Sequence, residues 1–124
     1  MKLFTVLAAL TFIAAPVQAQ PLPGHSDYET TQKVHGSLQA AQIICAGKKR
    51  RLSTKTIFYA VQEGLKEKGT YSAWPWLKTQ QGVDAIKAVR KHLTSDCTPG
   101  NRTQMAEAFL DVVLTPEQKR ILGR

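Results

Sequence analysis

Cys45-Ala46-Gly47-Lys48-Lys49-Arg50-Arg51-Leu52-Ser53 joins one helical pattern to the next, and the architecture is read outward from it. Upstream, Val34, Leu38, Ala41 and Cys45 recur at helical spacing, with Ile44 widening the stripe. This predicts a first helix over 27–46, stopped by Gly47. Downstream, Ser53 opens a second helix in which Ile57, Val61 and Leu65 form an i, i+4, i+8 row, with Phe58 beside it and Gly69 at its end. Gly64 lowers local helix propensity by about 1 kcal/mol relative to alanine and is a candidate for a close backbone contact.

Further along, Thr70–Leu77 reads as a loop in which Tyr71, Trp74 and Trp76 surround Pro75. Val83, Ile86, Val89 and Leu93 line one face of a third helix over 79–94, and Thr98-Pro99-Gly100-Asn101 interrupts the chain. A fourth helix over 102–114 carries Met105, Phe109, Val112 and Val113. Thr115-Pro116-Glu117-Gln118 then combines an N-cap threonine, proline at the first helical position and glutamine at the third, which opens a short last helix ending at Gly123. No window alternates with period two. The expected fold is all-α, a small bundle of four to five helices.

Towards the N-terminus, Ser26-Asp27-Tyr28-Glu29 has the capping-box form of a helix start. The segment 20–25, with Pro21, Pro23 and Gly24, reads as an extended leader. Met1–Ala19 reads as a signal peptide, with a cation at Lys2, an apolar run from Leu3 to Ala15 and Val17-Gln18-Ala19 as the cleavage site. Residues 26–124 are then a single helical domain. Beyond the leader no apolar stretch is long enough to cross a bilayer, so no transmembrane segment is expected in the mature chain.

Export makes a disulfide the default state of two cysteines, and Cys45 and Cys97 allow one pairing. Cys45 sits at the C-terminal end of the first helix and Cys97 just past the end of the third. A bond between them ties those ends together, with the first and third helices parallel and the second antiparallel between them.

The 124 residues hold 17 Lys and Arg against 9 Asp and Glu, a formal charge of +8. Loss of Lys2 with the leader lowers it to +7. Lys48-Lys49-Arg50-Arg51, with Lys55 one turn on, has two readings. Cations after a helix C-terminus favour the carbonyl end of its dipole. Alternatively, the run is a docking patch for an anionic cell-surface component or an acidic protein. Nucleic acid is disfavoured as the partner, because no aromatic residues interleave with the cations. Tyr71, Trp74 and Trp76 likewise either close one end of the bundle or form an exposed contact site.

The residue sets of the common enzymes are missing. His25, His35 and His92 form no metal-binding spacing, and the chain has no G-x-S-x-G and no phosphate-cradling glycine loop. No metal, cofactor or catalytic residue is expected. His92 and Asp96 stand at i, i+4, either as a solvated or capping pair or as a shared proton or metal site. His35 either packs in the core or faces a ligand pocket with Met105 opposite. Asn101-Arg102-Thr103 fits the N-glycosylation pattern, which has meaning only in a chain that crosses an endoplasmic reticulum.

The stretch from Leu38 to Pro99, with Cys45-Ala46-Gly47, Ser53 opening a helix and Cys97-Thr98-Pro99 closing another, resembles small secreted two-cysteine helical domains of uncharacterised function. That resemblance implies fold and export. Through Cys45 and Cys97 the stretch is also similar to the acid-activated chaperones of the enteric periplasm, which expose apolar surface at low pH. The expected role is a non-enzymatic interaction module, secreted or periplasmic, that binds a protein or an anionic envelope component through a basic surface. The alternatives are a periplasmic acid-stress chaperone and a small ligand carrier or hydrolase using His35 or His92.

Overall fold

The structure, a computed structural model, describes residues 27–123, and every regular element among them is helical. The signal peptide, the leader and the Ser26 cap lie outside the described residues. The elements are α1 (Asp27–Lys49), α2 (Thr54–Lys68), a 3-10 turn (Tyr71–Ala73) running into the single-turn α3 (Trp74–Leu77), α4 (Gln80–Arg90), α5 (Arg102–Val113) and α6 (Pro116–Ile121). By contacts the chain forms two compact units, Met1–Thr31 and Gln32–Arg124. Of the first unit only the opening turn of α1 is described, with Asp27 and Glu29 at the positive end of the helix dipole.

Local capping chemistry sets most of the boundaries. Ser53, Thr79, Asn101 and Thr115 each accept a backbone N–H with a side-chain oxygen, and Thr115 and Gln118 complete a capping box. Gly69 ends α2 in the left-handed conformation at φ 78°, where the lack of a Cβ removes the steric penalty.

Gly47 does not stop α1, which runs on to Lys49. It is instead a point of close approach, since a Cβ there would stand 2.6 Å from Cγ1 of Ile57. Gly64 plays the same part on α2, facing Cδ1 of Ile43 at 2.5 Å from where a Cβ would be. Gly36 approaches Leu65, Ala73 and Leu77. The pairs 47 with 57, 43 with 64 and 36 with 65 show α1 and α2 running antiparallel.

Within the second unit no residue of α1 from Gln32 to Cys45 is exposed, and the helix meets α2 and the α3 turn at Gly36, Ile43 and Gly47. Such a helix has no solvent stripe. The core joins Ala40 and Ala41 to Ile57, Val61, Leu65, Leu77, Ile86, Val89, Met105 and Phe109. Thr70, Gln39, Gln32 and Ser72 tie the α2–α3 link to α1, with Thr70 Oγ1 donating to Gln39 Oε1 and Ser72 Oγ donating to Gln32 Oε1 at 2.6 Å.

Cys45 and Cys97 are bonded, with Cα atoms 5.7 Å apart. Gly36 meets Leu77 at one end and Cys45 holds Cys97 at the other, so α1 and α4 run in the same direction. α4 stops at Arg90, four residues short of the expected end. Beyond it Thr94 Oγ1 accepts the N–H groups of Asp96 and Thr98, and Leu93 pairs with Pro99 as an isolated bridge. Hydroxyls that bond nearby amides compete with the helical ladder, and here they turn the chain so that Cys97 reaches α1. α5 returns antiparallel to α4, with Gly100 N–H bonded to the His92 carbonyl and Gln81 Nε2 to that of Val113.

Candidate functional site

The cationic run caps the α1–α2 hairpin. Lys48 and Lys49 form the last turn of α1, and Lys55 lies in the first turn of α2. The Leu52 amide bonds the Gly47 carbonyl at 3.0 Å and the Arg51 amide bonds that of Lys48 at 3.0 Å. This is the Schellman arrangement, and it puts Arg51 in the left-handed region at φ 58°.

All five cations are exposed. Lys49 has a local task, its Nζ donating to the Ser95 carbonyl two residues before Cys97. Lys48, Arg50, Arg51 and Lys55 form no ion pair among the described residues, unlike Lys66 with Glu63 and Arg120 with Glu117. The chain carries no Asp or Glu between Glu29 and Glu63, a span that holds six cations. The fields of Lys48, Arg50, Arg51 and Lys55 add.

The aromatic loop does not act as one unit. Trp74 is buried, with 7% of its surface exposed. Phe58 of α2 meets it edge-on at 5.0 Å and Tyr71 stacks on it at 6.4 Å. Trp76 is half-buried on another side, near Phe109 of α5 at 6.1 Å and under Lys33 Nζ at 5.1 Å, while its Nε1 donates to Gln81 Oε1 at 3.0 Å. Trp74 is therefore a packing ring and not an exposed lip. Proline between the two tryptophans stands in the first turn of α3, and positions two apart on a helix point about 200° apart.

Phe58 is the member that sequence reasoning missed, since it was placed beside the buried row of α2. It remains 52% exposed and carries the aromatic group out to the surface that Lys55 and Tyr59 share. Nothing local signals its pairing with Trp74, sixteen residues away. Lys66 lies over the Tyr71 ring at 5.1 Å and Lys78 over that of Trp74 at 5.3 Å, so this surface too is basic.

The histidines lie elsewhere. Burial, with the Arg102 guanidinium adding to it, pushes the His35 pKa down from 6.5 to about 4, so the ring is neutral at neutral pH. Arg102 opens α5 one turn before Met105. His92 and Asp96 do not share a helix, because α4 has already ended, and the helical i, i+4 pairing expected of them does not form. No group of three or more potential metal ligands occurs among the described residues. Asn101 of the glycosylation triplet is exposed and caps α5, accepting the Gln104 amide at 2.9 Å.

No family model, curated protein or solved structure matches this chain.

Proposed function

We propose that this chain is an exported, non-enzymatic interaction module that binds a protein or an anionic envelope component through the basic end of the α1–α2 hairpin. The observation that carries this reading is Arg51. Its left-handed backbone conformation disfavours any residue with a Cβ, by roughly 1 kcal/mol or more. A cation nevertheless occupies it, within a stretch of sequence that has no Asp or Glu. Helix-dipole compensation accounts for Lys48 and Lys49 in the last turn, but the effect falls off within that turn and does not extend to Lys55.

Retention on heparin beads, across a salt gradient, tests the reading. The disulfide-bonded protein is expected to bind and to elute with salt. The combined variant Lys48→Gln, Arg50→Gln, Arg51→Gln and Lys55→Gln is expected to pass through with its helicity intact. Equal retention of variant and parent would remove the hairpin end as the binding surface.

His35 supports the second reading, an acid-responsive chaperone, because a half-buried neutral histidine beside Arg102 gains a charge in acid and would be repelled there. Binding of an apolar dye below pH about 4, together with suppression of client aggregation, is its signature. A compact protein that stays inert at that pH argues against it.

A further inference from the structure

We infer that the hairpin end is a docking surface for anionic phospholipid bilayers, with Leu52, Phe58 and Tyr59 entering the headgroup layer between cations that hold the phosphates. This deepens the proposed function and rests on it, since the surface is the same.

Three large apolar side chains are exposed at this end of the hairpin: Leu52 at 39%, Phe58 at 52% and Tyr59 at 62%. Leu52 follows Arg51 directly. Lys55 and Tyr59 stand one turn apart on the side of α2 opposite Ile57, which faces α1 at Gly47. Leu52 therefore adjoins Lys48, Arg50 and Arg51, Phe58 and Tyr59 follow Lys55, and no Asp or Glu falls between Glu29 and Glu63 in the sequence. Farther along α2, Phe58 continues into Trp74 and Tyr71, which lie beneath Lys78 and Lys66.

Charge complementarity selects the occupant. Protein interfaces exclude lysine from their centres and gather apolar groups into a continuous core, neither of which describes this surface. A bilayer interface takes the mixture found here: cations at the phosphates, tyrosine at headgroup depth and aliphatic or phenyl groups just below. The charge term is long-ranged and sensitive to salt, whereas the apolar term is short-ranged and sets residence. A surface with both attaches reversibly to anionic membrane and leaves neutral membrane alone.

Co-sedimentation of the disulfide-bonded protein with phosphatidylglycerol-containing vesicles, with pure phosphatidylcholine vesicles and with heparin beads separates the cases. Binding to the anionic vesicles is expected to exceed binding to the neutral ones by about tenfold or more at low salt. The double variant Leu52→Ser and Tyr59→Ser, whose positions are exposed, is expected to lose about fivefold to tenfold on anionic vesicles while keeping its helicity and its heparin retention. Equal binding of parent and double variant to anionic vesicles overturns the inference. So does heparin retention without a preference for anionic over neutral vesicles, which leaves the basic-surface reading standing with a partner other than lipid. Failure to bind heparin or either vesicle overturns both.

Discussion

Arg51 and Gly69 occupy the same position in two copies of one helix-ending motif. In α1 the Leu52 and Arg51 amides bond the carbonyls of Gly47 and Lys48, and in α2 the Thr70 and Gly69 amides bond those of Leu65 and Lys66. The left-handed residue has φ 58° at Arg51 and φ 78° at Gly69. One helix thus ends on the residue that suits the geometry and the other on a cation that does not.

Arg51→Gly is therefore expected to raise stability by about 0.5–1 kcal/mol, less the greater chain entropy of glycine in the unfolded state, while weakening retention on heparin. Urea unfolding and salt-gradient elution measure the two effects. A variant that loses stability and keeps its retention would show that Arg51 serves the fold.

The disulfide closes a loop over a sequence separation of 52, which in the chain-entropy model stabilises the fold by about 4 kcal/mol. Reduction, or Cys97→Ser, is expected to lower the urea midpoint accordingly. Cys97 is itself left-handed at φ 64°, so Cys97→Gly should cost less than Cys97→Ser once the bond is gone. The same midpoint with and without reductant would mean that noncovalent packing suffices.

Gly47→Ala places a methyl against Cγ1 and Cδ1 of Ile57, a β-branched core residue with little rotamer freedom. About 1–3 kcal/mol of destabilisation is expected. Gly64→Ala meets only the terminal methyl of Ile43, and the helix propensity gained, about 1 kcal/mol, offsets much of the clash. Thermal unfolding of the two variants should rank Gly47→Ala well below Gly64→Ala.

Ser37 is fully buried on α1, and its Oγ has no hydrogen-bond partner. Alanine removes an unpaired hydroxyl and favours the helix, so Ser37→Ala should leave stability unchanged or raise it by roughly 1 kcal/mol. A loss of 2 kcal/mol or more on chemical unfolding would reveal a bond formed in solution, the expected cost of leaving a buried partner unsatisfied being about 1–3 kcal/mol.

His35 couples stability to acid. Its folded pKa, about 4, lies below the ordinary 6.5, so between those values the unfolded chain binds the proton and the folded one does not. The contribution is complete above 6.5, declines as the pH falls towards 4 and is gone below it. His35→Gln is expected to flatten that part of the profile. Parallel profiles of parent and variant, measured by urea unfolding across this window, would place the acid response elsewhere.

Several of these residues were legible in the chain alone. The helix starts at Ser53 and Thr115 and the buried row Ile57, Val61 and Leu65 follow from groups within four residues of one another, which is the range over which helical hydrogen bonds and side-chain faces are set. The Cys45–Cys97 pairing needed only a count of two. The cations were visible as a run. Gly47 was misread, because a glycine that ends a helix and one that lets two helices touch look alike until the neighbour is known.

The amino-acid order by itself determined the longer helices, the helix starts at Ser53 and Thr115, the single sulfur bridge and the carboxylate-free basic stretch, because each is a property of neighbouring residues or of composition, whereas Trp74–Leu77 reads as loop and is a helical turn. The folded arrangement decided that Arg51 ends α1, that Phe58 meets Trp74 while Trp76 turns to Phe109, and that Gly47 and Gly64 are where α1 and α2 approach. Those outcomes depend on dense packing between segments far apart in the chain, where the filling of shared volume, and not any local preference, selects which side chains are covered and which remain at the surface.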